Sequence, residues 1–566
     1  MEESDTVNGF VIALVISFVI AGGFVLAGDS HSVESEESAF VANDSSVGTD
    51  SGFVDFQEVA FENGIRYEPQ IMEMRQGVYV VDFDNDGDED VLLMGGKNPV
   101  LYKNTGSGFA EHREFPLRLA QTAHFLDYNN DGWRDLIIAP VGDRPAFYVN
   151  ENGTFERKDV GIAKATWRPM TINSADFNAD GCLDVFIGQY GSGERAYQQP
   201  ISEIRNNPDL RPDPEGGNEN ILLFGNCSVF SQVTEEAGLT GERWTLASAA
   251  VDLTGDGHID IYVGNDFGSD YLYINRGNGT FHEHRMPRYT DRNAMSVRTI
   301  DMNGDGSLEI FITNIWIPAQ ATSTTGGSVY ETLHAAFPYG NNYIVMNESG
   351  GFEDKAEEYG IEDGGWGWTA TVADYNNDGH LDIVHGTIGS IPVEPFPKVY
   401  RTMQVWKGTE VGWTKLNGSE MGFYTENTRG MARIDYNMDG RLDIITAPSK
   451  FLYRGDTDRE LYYRLYENQN TANQALQFFV RNPDGISRNA NVVIQTDTQT
   501  IHRVVNSRGD FVTQDSRLVH VGMGGQSVEK VTIVWPDGEN TTYTSLETGN
   551  RYILLPDEAI HVATLR

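Results

Sequence analysis

One nine-residue pattern recurs seven times along the chain, and such repetition restricts the fold to an array of similar units. Each copy has an oxygen-bearing side chain at positions 1, 3, 5 and 9 and a glycine at position 6. We number the copies loops 1 to 7 in chain order. They start at intervals of 45, 49, 76, 49, 73 and 61 residues, at Asp82, Asp127, Asp176, Asp252, Asp301, Asp374 and Asp435.

This spacing suits a calcium ion. Ca²⁺ takes about six to eight oxygen ligands, and alternate side chains of a tight loop converge on one point, joined by the backbone carbonyl of position 7. The glycine at position 6 allows a sharp turn that a Cβ would obstruct. We therefore predict up to seven Ca²⁺ ions. The predicted ligand residues, from positions 1, 3, 5, 7 and 9 of each loop in turn, are Asp82, Asp84, Asp86, Asp88, Asp90; Asp127, Asn129, Asp131, Trp133, Asp135; Asp176, Asn178, Asp180, Cys182, Asp184; Asp252, Thr254, Asp256, His258, Asp260; Asp301, Asn303, Asp305, Ser307, Glu309; Asp374, Asn376, Asp378, His380, Asp382; and Asp435, Asn437, Asp439, Arg441, Asp443.

Two other interpretations of the loops give different predictions. An EF-hand needs a bidentate Glu at position 12 and flanking helices, but no loop has Glu there. Solvated Asp/Gly hairpins without an ion would suit a single copy, whereas seven copies in one register favour a metal. Because anionic oxygens tighten calcium binding, we expect loop 1, with Asp84 at position 3, to bind most tightly. Loop 4, with Thr254 there, should bind most weakly.

Short apolar segments flank the loops and indicate buried strands. Val78–Val81 precedes loop 1 and Val91–Met94 follows it. A second recurring element, such as Leu101–Asn104 followed by Gly108-Phe109, supplies a third and a fourth strand around a turn. Four strands per repeat predict an all-β chain, a seven-bladed β-propeller with calcium loops followed by a small C-terminal β domain.

The ends of the repeats predict how the propeller closes. Phe230–Leu239 and Phe352–Ile361 each end a repeat, and the similar segment Phe56–Ile65 precedes all the loops. The seventh repeat has no such segment after Asn468. We therefore expect the N-terminal strand to complete the seventh blade, which leaves no exposed sheet edge.

The amino terminus predicts export. Phe10–Ala27 is an 18-residue run without a charge, long enough to cross a membrane, but Met1–Gly9 lacks the basic residues of an ordinary signal peptide. Residues 1–27 are thus a signal peptide or a signal anchor, with a buried helix as a third interpretation. Export makes the protein extracellular or cell-surface, with membrane contact only through an uncleaved anchor. We expect an acidic linker at 28–52, the propeller at 53–470 and the C-terminal domain at 471–566.

The charge balance excludes one class of partner. With 83 acidic against 41 basic residues, the net charge of −42 opposes contact with nucleic-acid phosphates. The acidic excess persists outside the loops, which favours a high-salt organism, although an ordinary acidic secreted surface is the alternative. Cys182 and Cys227 are too few for a zinc module or a disulfide scaffold, and pairing and two thiols both remain open. Seven sequons would accept glycans in a glycosylating host, at Asn43, Asn152, Asn226, Asn278, Asn347, Asn417 and Asn540.

The loops resemble FG-GAP/VCBS repeats, and the chain from Phe56 onward resembles the cartilage-acidic-protein family with its ASPIC/UnbV domain. The C-terminal resemblance rests on Asp515-Ser516, Val519–Gly524 and Val531–Gly538. It implies a secreted calcium-binding propeller with side-chain ligands at loop positions 1, 3, 5 and 9, and the family has no agreed reaction. By its alternating pattern alone, Ala475–Val562 predicts a small β domain that packs against the propeller rim.

Three insertions follow second strands and therefore should lie at the rim opposite the loops: Gln189–Asn220, Trp316–Asn341 and Thr387–Thr402. They are either long surface loops or a ligand surface whose aromatic residues stack on sugars or fill a partner's pocket. These aromatic residues are Tyr190, Tyr197, Trp316, Tyr330, Tyr339 and Tyr400.

We predict a monomeric scaffold that binds an extracellular glycan or protein. The alternative is a secreted carbohydrate-active enzyme with its site on the same rim. The chain has no Gly-x-Ser-x-Gly, His-Glu-x-x-His or phosphate-binding glycine loop, which favours the scaffold. Arg508-Gly509-Asp510 spells an adhesion tripeptide, but Gly-Asp is also a common turn.

Overall fold

The computed structural model describes residues 53–69, 76–95, 97–191, 217–291, 293–315, 340–346, 350–387, 403–423, 428–448, 462–481, 490–505, 509–535 and 538–565. Within these ranges the chain is all-β, as predicted, apart from a 3₁₀ turn at Arg288–Thr290. No helix in this part of the chain has the length and hydrophobicity needed to span a bilayer. The predicted leader and linker, residues 1–52, lie outside the described residues.

Among the described residues the repeats form thirty strands. The first fifteen are β1 (Phe56–Glu58), β2 (Gly77–Val81), β3 (Asp90–Met94), β4 (Val100–Asn104), β5 (Phe109–Glu114), β6 (Ala120–Leu126), β7 (Asp135–Pro140), β8 (Ala146–Glu151), β9 (Thr154–Lys158), β10 (Pro169–Ala175), β11 (Asp184–Gln189), β12 (Asn218–Glu219), β13 (Ile221–Gly225), β14 (Phe230–Gln232) and β15 (Glu242–Arg243). The next fifteen are β16 (Thr245–Val251), β17 (Asp260–Asn265), β18 (Tyr271–Asn275), β19 (Phe281–Arg285), β20 (Ala294–Ile300), β21 (Glu309–Asn314), β22 (Asn342–Met346), β23 (Phe352–Asp354), β24 (Gly367–Ala373), β25 (Asp382–Thr387), β26 (Gln404–Thr409), β27 (Gly412–Leu416), β28 (Thr428–Ile434), β29 (Asp443–Pro448) and β30 (Arg464–Asn468).

Each loop joins the first two strands of an antiparallel four-stranded sheet, and we number the sheets like their loops. Sheets 1 to 7 consist of β2 to β5; β6 to β9; β10, β11, β13 and β14; β16 to β19; β20 to β23; β24 to β27; and β28, β29, β30 and β1. In sheet 1 two further short strands from the C-terminal part of the chain, Gly509–Asp510 and Thr513–Gln514, join the edge beside β2. The four-stranded repeat is therefore as predicted. The small strands β12 and β15 pair with each other.

The first strand of each sheet lies beside the first strands of two other sheets. The neighbours follow the order β2, β6, β10, β16, β20, β24, β28 and again β2. Six of these strands are buried along their whole length, as in β6 and β10, and β20 is buried except at Thr299. Apolar clusters fill the space between adjacent sheets. One cluster joins Tyr79 and Leu92 of sheet 1 to Tyr148 of sheet 2.

The N-terminal strand pairs with the last repeat, as its sequence predicted. β1 runs antiparallel to β30, with Phe56 opposite Asn468. The Phe56 ring is 4.7 Å from that of Phe423 and 5.9 Å from that of Tyr375, centroid to centroid. This packing fixes the beginning of the repeat region to its end.

The C-terminal domain is a sandwich of two four-stranded sheets. Its strands are β31 (Ala475–Val480), β32 (Ala490–Thr496), β33 (Thr500–Val505), β34 (Gly509–Asp510), β35 (Thr513–Gln514), β36 (Val519–Gly522), β37 (Val528–Val534), β38 (Asn540–Tyr543), β39 (Asn550–Leu555) and β40 (Glu558–Thr564). One sheet has the order β36-β31-β39-β40 and the other β33-β32-β37-β38. Buried side chains from both sheets form one apolar core.

This domain does more than pack against a rim. Its inserted segment, Gly509–Ser516, enters the space between the first strands of the repeat sheets, where β35 pairs in parallel with β2. Phe511 packs on Trp368 of sheet 6, with ring centroids 5.4 Å apart, and Gln514 bonds both backbone groups of Phe125 in sheet 2. The sequence did not predict this insertion because the segment is short and polar.

Burial of the inserted segment also shows whether the Arg508-Gly509-Asp510 tripeptide can serve in adhesion. Asp510 is only 1% exposed, accepts hydrogen bonds from the Ser296 hydroxyl and the Val297 amide, and pairs with Arg298. A Cβ on Gly509 would lie 2.0 Å from the Ile172 carbonyl oxygen, so glycine is required there. Adhesion through Asp510 is therefore the wrong interpretation, and Arg508 lies outside the described residues.

Candidate metal-binding loops

The seven loops share one hydrogen-bond scaffold. In every loop the position-6 amide donates to Oδ2 of position 1 at 2.8–3.2 Å. The position-7 amide donates to Oδ1 of position 5 at 2.8–3.0 Å. These bonds turn the position-1 and position-5 carboxylates into the loop, so the repeated sequence produces a repeated geometry.

The acid at position 9 has a second task. In every loop one of its oxygens accepts the position-2 amide at 2.7–3.3 Å. In six sheets the other oxygen accepts an amide from the third strand at 2.7–2.9 Å. The sequence assigned position 9 as a ligand, and the structure shows that it also ties the loop to its own sheet.

Position 4 carries a signal that the sequence analysis missed. Its φ is positive in every loop, between 54° and 79°, in Asn85, Asn130, Ala179, Gly255, Gly304, Asn377 and Met438. Asn and Gly adopt this conformation most readily, which explains their frequency there. The three asparagines also donate to the position-6 carbonyl of the next loop, at 2.8–3.1 Å. Three pairs of adjacent loops are thus bonded to each other, loops 1 and 2, 2 and 3, and 6 and 7.

A second set of asparagines staples adjacent sheets. Each lies at the last or next-to-last position of a third strand and donates through Nδ2 to the position-2 carbonyl of the preceding loop in the neighbour order, at 2.7–2.8 Å. These residues are Asn104, Asn150, Asn275 and Asn468. In the sequence this recurring Asn indicates only the start of a hairpin turn.

Buried oxygens without a donor test whether the loops fit a cation. Asp82 Oδ1, Asp84 Oδ1, Asn129 Oδ1 and Thr254 Oγ1 are buried and have no hydrogen-bond partner among the described residues. All four belong to predicted ligand positions 1 or 3. Buried lone pairs without donors are costly, and a hard cation is what such oxygens coordinate. The residues therefore fit Ca²⁺.

Among the described residues, two loops gather three acids closely enough to share an ion. In loop 1 oxygens of Asp82, Asp84 and Asp86 lie within 4.8 Å of one another, and in loop 5 those of Asp301, Asp305 and Glu309 do. Glu309 is the only glutamate among the position-9 acids, and its extra methylene lets it reach the loop centre while it still accepts the Met302 amide.

Burial makes the loop acids difficult to ionise. Desolvation raises the pKa of Asp90 to about 9 and that of Asp135, Asp184 and Glu309 to about 8. The pKa of Asp382 is also raised well above its ordinary value, first by burial and then by Asp374. A bound cation would stabilise the ionised forms, because opposite charge favours them.

Loop 3 is held by a disulfide. Cys182, at position 7, is bonded to Cys227 in the turn between β13 and β14. Asn130 of loop 2 donates to Cys227 Sγ at 3.3 Å. The pairing left open by the sequence is therefore formed, and it links the loop backbone to the outer hairpin of its sheet.

The C-terminal domain lies against loops 6, 7 and 1. Arg551 is fully buried, lies 2.9 Å from Asp435 Oδ2 in loop 7 and donates to the Gly87 carbonyl in loop 1. Gln477 donates to Asp435 Oδ2 at 2.7 Å. His520 Nε2 is 2.8 Å from Asn377 Oδ1 in loop 6. The side chains of one domain therefore contact candidate ligands of the other.

The prediction that Tyr190 belongs to a ligand-binding surface is wrong. Tyr190 is fully buried, donates to Asp266 and packs edge-on against Trp244, so it does not present its ring to a ligand. Tyr190 directly follows β11 and still belongs to the core, because the inserted segment leaves the sheet only after Tyr190. Tyr197, Trp316, Tyr330, Tyr339 and Tyr400 lie outside the described residues, as do Asn43 and Asn347.

Comparison with known proteins agrees with these observations. A model described as FG-GAP-like repeat matches residues 127–187, 252–312 and 333–385, and one described as ASPIC and UnbV matches 480–561. Cartilage acidic protein 1 of Mus musculus is 21% identical, with 84% of this chain and 72% of that protein covered. The Xenopus tropicalis protein is 23% identical, with 85% and 73% covered.

Among solved structures, BBS1N in complex with ARL6DN has a TM-score of 0.40 at 9% identity, and covers 74% of this chain and 98% of that one. The family matches and the sequence similarity show that the chain contains FG-GAP-like repeats and an ASPIC/UnbV domain, and is homologous to cartilage acidic protein 1 over about 84% of its length.

Proposed function

We propose that this FG-GAP-repeat and ASPIC/UnbV protein is an extracellular, monomeric calcium-binding β-propeller that serves as a binding or adhesion scaffold. In this proposal the seven sheets are the blades of a closed ring. The neighbour order of the first strands and the pairing of β1 with β30 support closure. Homology to cartilage acidic protein 1 supports the extracellular location.

The geometry of the loops supports the proposed calcium binding. All seven hold their position-1 and position-5 carboxylates in the same way, and buried oxygens without donors lie at positions 1 and 3. The ions would be structural, because each would offset repulsion among buried acids and bind only the folded loop. Binding of this kind stabilises the fold by linkage.

The ligand surface of this scaffold would lie at the rim opposite the loops, because the C-terminal domain lies against the loop end. Leu119 and Trp167 precede the first strands of sheets 2 and 3 at that rim and are 47% and 54% exposed. Leu119 also has a φ of +60°, which a leucine rarely adopts. A neutral glycan or a protein suits this surface, since the net charge repels polyanions.

Retention on immobilised ligands tests the scaffold. The full chain, in millimolar Ca²⁺, is applied to a panel of neutral polysaccharides and to a purified fibrillar collagen. We expect the wild type to be retained on at least one and Trp167→Ala to lose at least tenfold in affinity. Val411→Ala, which alters an 88% exposed residue at the loop end, is the control. Equal retention of all three proteins, or of none, contradicts this ligand surface.

The alternative enzyme function has its own readout. A carbohydrate-active enzyme would release soluble products from the same polysaccharides, whereas a scaffold would release none. If the wild type releases soluble products and Trp167→Ala releases fewer, the protein is an enzyme and the scaffold function is wrong.

A further inference from the structure

Loop 1 carries internal cations on its first three ligand positions. The Lys103 ammonium contacts Asp84 Oδ2 and lies 3.1 Å from Asp86 Oδ2. Arg481, the residue that follows β31 in the C-terminal domain, lies 2.5 Å from Asp82 Oδ2. Each carboxylate at positions 1, 3 and 5 is therefore paired with a positive charge of the chain itself.

Among sheets 1 to 4, only sheet 1 has a lysine at the position of Lys103. It precedes the third-strand residue that bonds the position-9 acid, and Val149, Phe224 and Ile274 stand there in sheets 2, 3 and 4. Lys407 of sheet 6 stands there too, but its ammonium lies over the Phe53 ring, 5.8 Å from the centroid.

The position-3 carboxylate is equally specific to loop 1. The other loops have Asn or Thr at that position, whereas loop 1 has Asp84. The additional anion of this loop and the ammonium of Lys103 therefore occur in the same repeat and contact each other. This correspondence indicates that the lysine compensates the extra carboxylate.

The same carboxylates keep one oxygen without a donor. Asp82 is 8% exposed, and its Oδ1 and the Oδ1 of Asp84 are buried with no hydrogen-bond partner among the described residues. Each acid thus offers one oxygen to an internal cation and one to an incoming ion. The two kinds of cation share the carboxylates without occupying the same atom.

We propose that Lys103 and Arg481 are built-in counter-ions that lower the calcium affinity of loop 1 and hold the loop in place without an ion. This inference rests on the proposed calcium binding of the loops. A Ca²⁺ ion and a cationic side chain that bind the same carboxylate repel each other. In a partly buried site water screens this repulsion incompletely. The fourth carboxylate of loop 1 therefore adds less calcium affinity than its charge alone would give.

Removal of the ammonium tests the proposal. In the full chain, Lys103→Met should raise the calcium affinity of loop 1 about tenfold, measured by competition with a fluorescent chelator. An Asp86→Asn background removes the calcium site of loop 1, so the same measurement there identifies how much calcium binding loop 1 contributes. Lys97→Met is the control, because Lys97 is exposed in the turn at the other end of sheet 1.

A second readout uses no added metal. In chelator, Lys103→Met should melt at a lower temperature than the wild type, since Asp84 and Asp86 lose their counter-ion, whereas Lys97→Met should not. Lys103→Gln replaces the methionine variant if that protein does not fold. An unchanged or lower affinity of loop 1 overturns the inference. Absence of calcium binding in the wild type overturns the proposed function instead.

Discussion

At the scale of single residues, the acid at position 9 shows what a repeated pattern conceals. The spacing marked it as a ligand like the other acids, but both of its oxygens accept backbone amides in six sheets. Positions 1 and 5 keep the loop ready for an ion, whereas position 9 holds the loop on its sheet. The two roles lead to different consequences of mutation.

Loop 2 offers a matched pair of substitutions. Asp135→Asn should reduce the free energy of unfolding by about 1–3 kcal/mol even in chelator, because its amide would face the Tyr128 or Asn150 amide. Asp131→Asn, at exposed position 5, should leave this stability unchanged and remove one calcium site. Chemical denaturation in chelator measures the difference. Equal stability of the two variants would show that position 9 has no structural role.

The raised pKa values predict how pH affects the ion-free protein. Asp135, Asp184 and Glu309 have pKa values raised by burial to about 8, against about 4 in an unfolded chain. Between these values the folded state binds more protons, so its stability should fall as pH rises from about 5 to 8. Millimolar Ca²⁺ should oppose this fall. A stability in chelator that rises over the same range would contradict the assigned burial of these acids.

At the scale of elements, two sets of asparagines connect the repeats. Three position-4 asparagines bond their loop to the next, and four third-strand asparagines bond their sheet to the preceding loop. A four-stranded sheet leaves its faces to be covered by neighbours, and these amides fix the orientation of the neighbour. Calcium loops and sheet packing therefore depend on each other.

Asn150 is the clearest test of these staples. Asn150→Ala removes bonds from Nδ2 to the Phe83 and Arg134 carbonyls and should cost about 1–3 kcal/mol of unfolding free energy. Asn417→Ala, at an exposed turn, serves as control. Denaturant titration compares the two variants. A cost for Asn150→Ala no greater than that of the control would mean that the staple contributes nothing to stability.

At the scale of the whole molecule, the C-terminal domain is joined to the repeats by charge. The inserted segment carries Asp510 and Asp515 to the buried Arg298 and Arg433. The Arg433 amide also donates to Asp515 at 2.8 Å. The repeats and the C-terminal domain should therefore unfold as one unit.

Asp510→Asn tests this coupling. The change keeps the shape but removes an acceptor and the nearest charge of Arg298, and loss of one partner of a buried pair costs about 3 kcal/mol. We expect a lower melting temperature with a single transition by both calorimetry and tryptophan fluorescence. Asp557→Asn, at an exposed site of the same domain, is the control. Two separate transitions would contradict one cooperative unit.

The sequence was sufficient for the features that repeat. The loops, the four strands per repeat and the role of the N-terminal strand all followed from self-similarity, because each copy supports the others. Features that occur once were not predictable: the inserted segment is short and polar, Tyr190 is buried by a neighbouring Trp244, and the Cys182–Cys227 bond depends on a distance across a sheet. The position-4 asparagines repeat, and attention to backbone conformation would have identified them.

The most direct test of this account is calcium stoichiometry combined with stability. Full-length protein is dialysed against millimolar Ca²⁺, its bound calcium is measured by elemental analysis, and its melting temperature is compared with that in chelator and in Mg²⁺. We expect several ions per chain, up to seven, and a rise in melting temperature specific to Ca²⁺. No retained calcium and an unchanged melting temperature would mean that the seven loops are hairpins that need no ion.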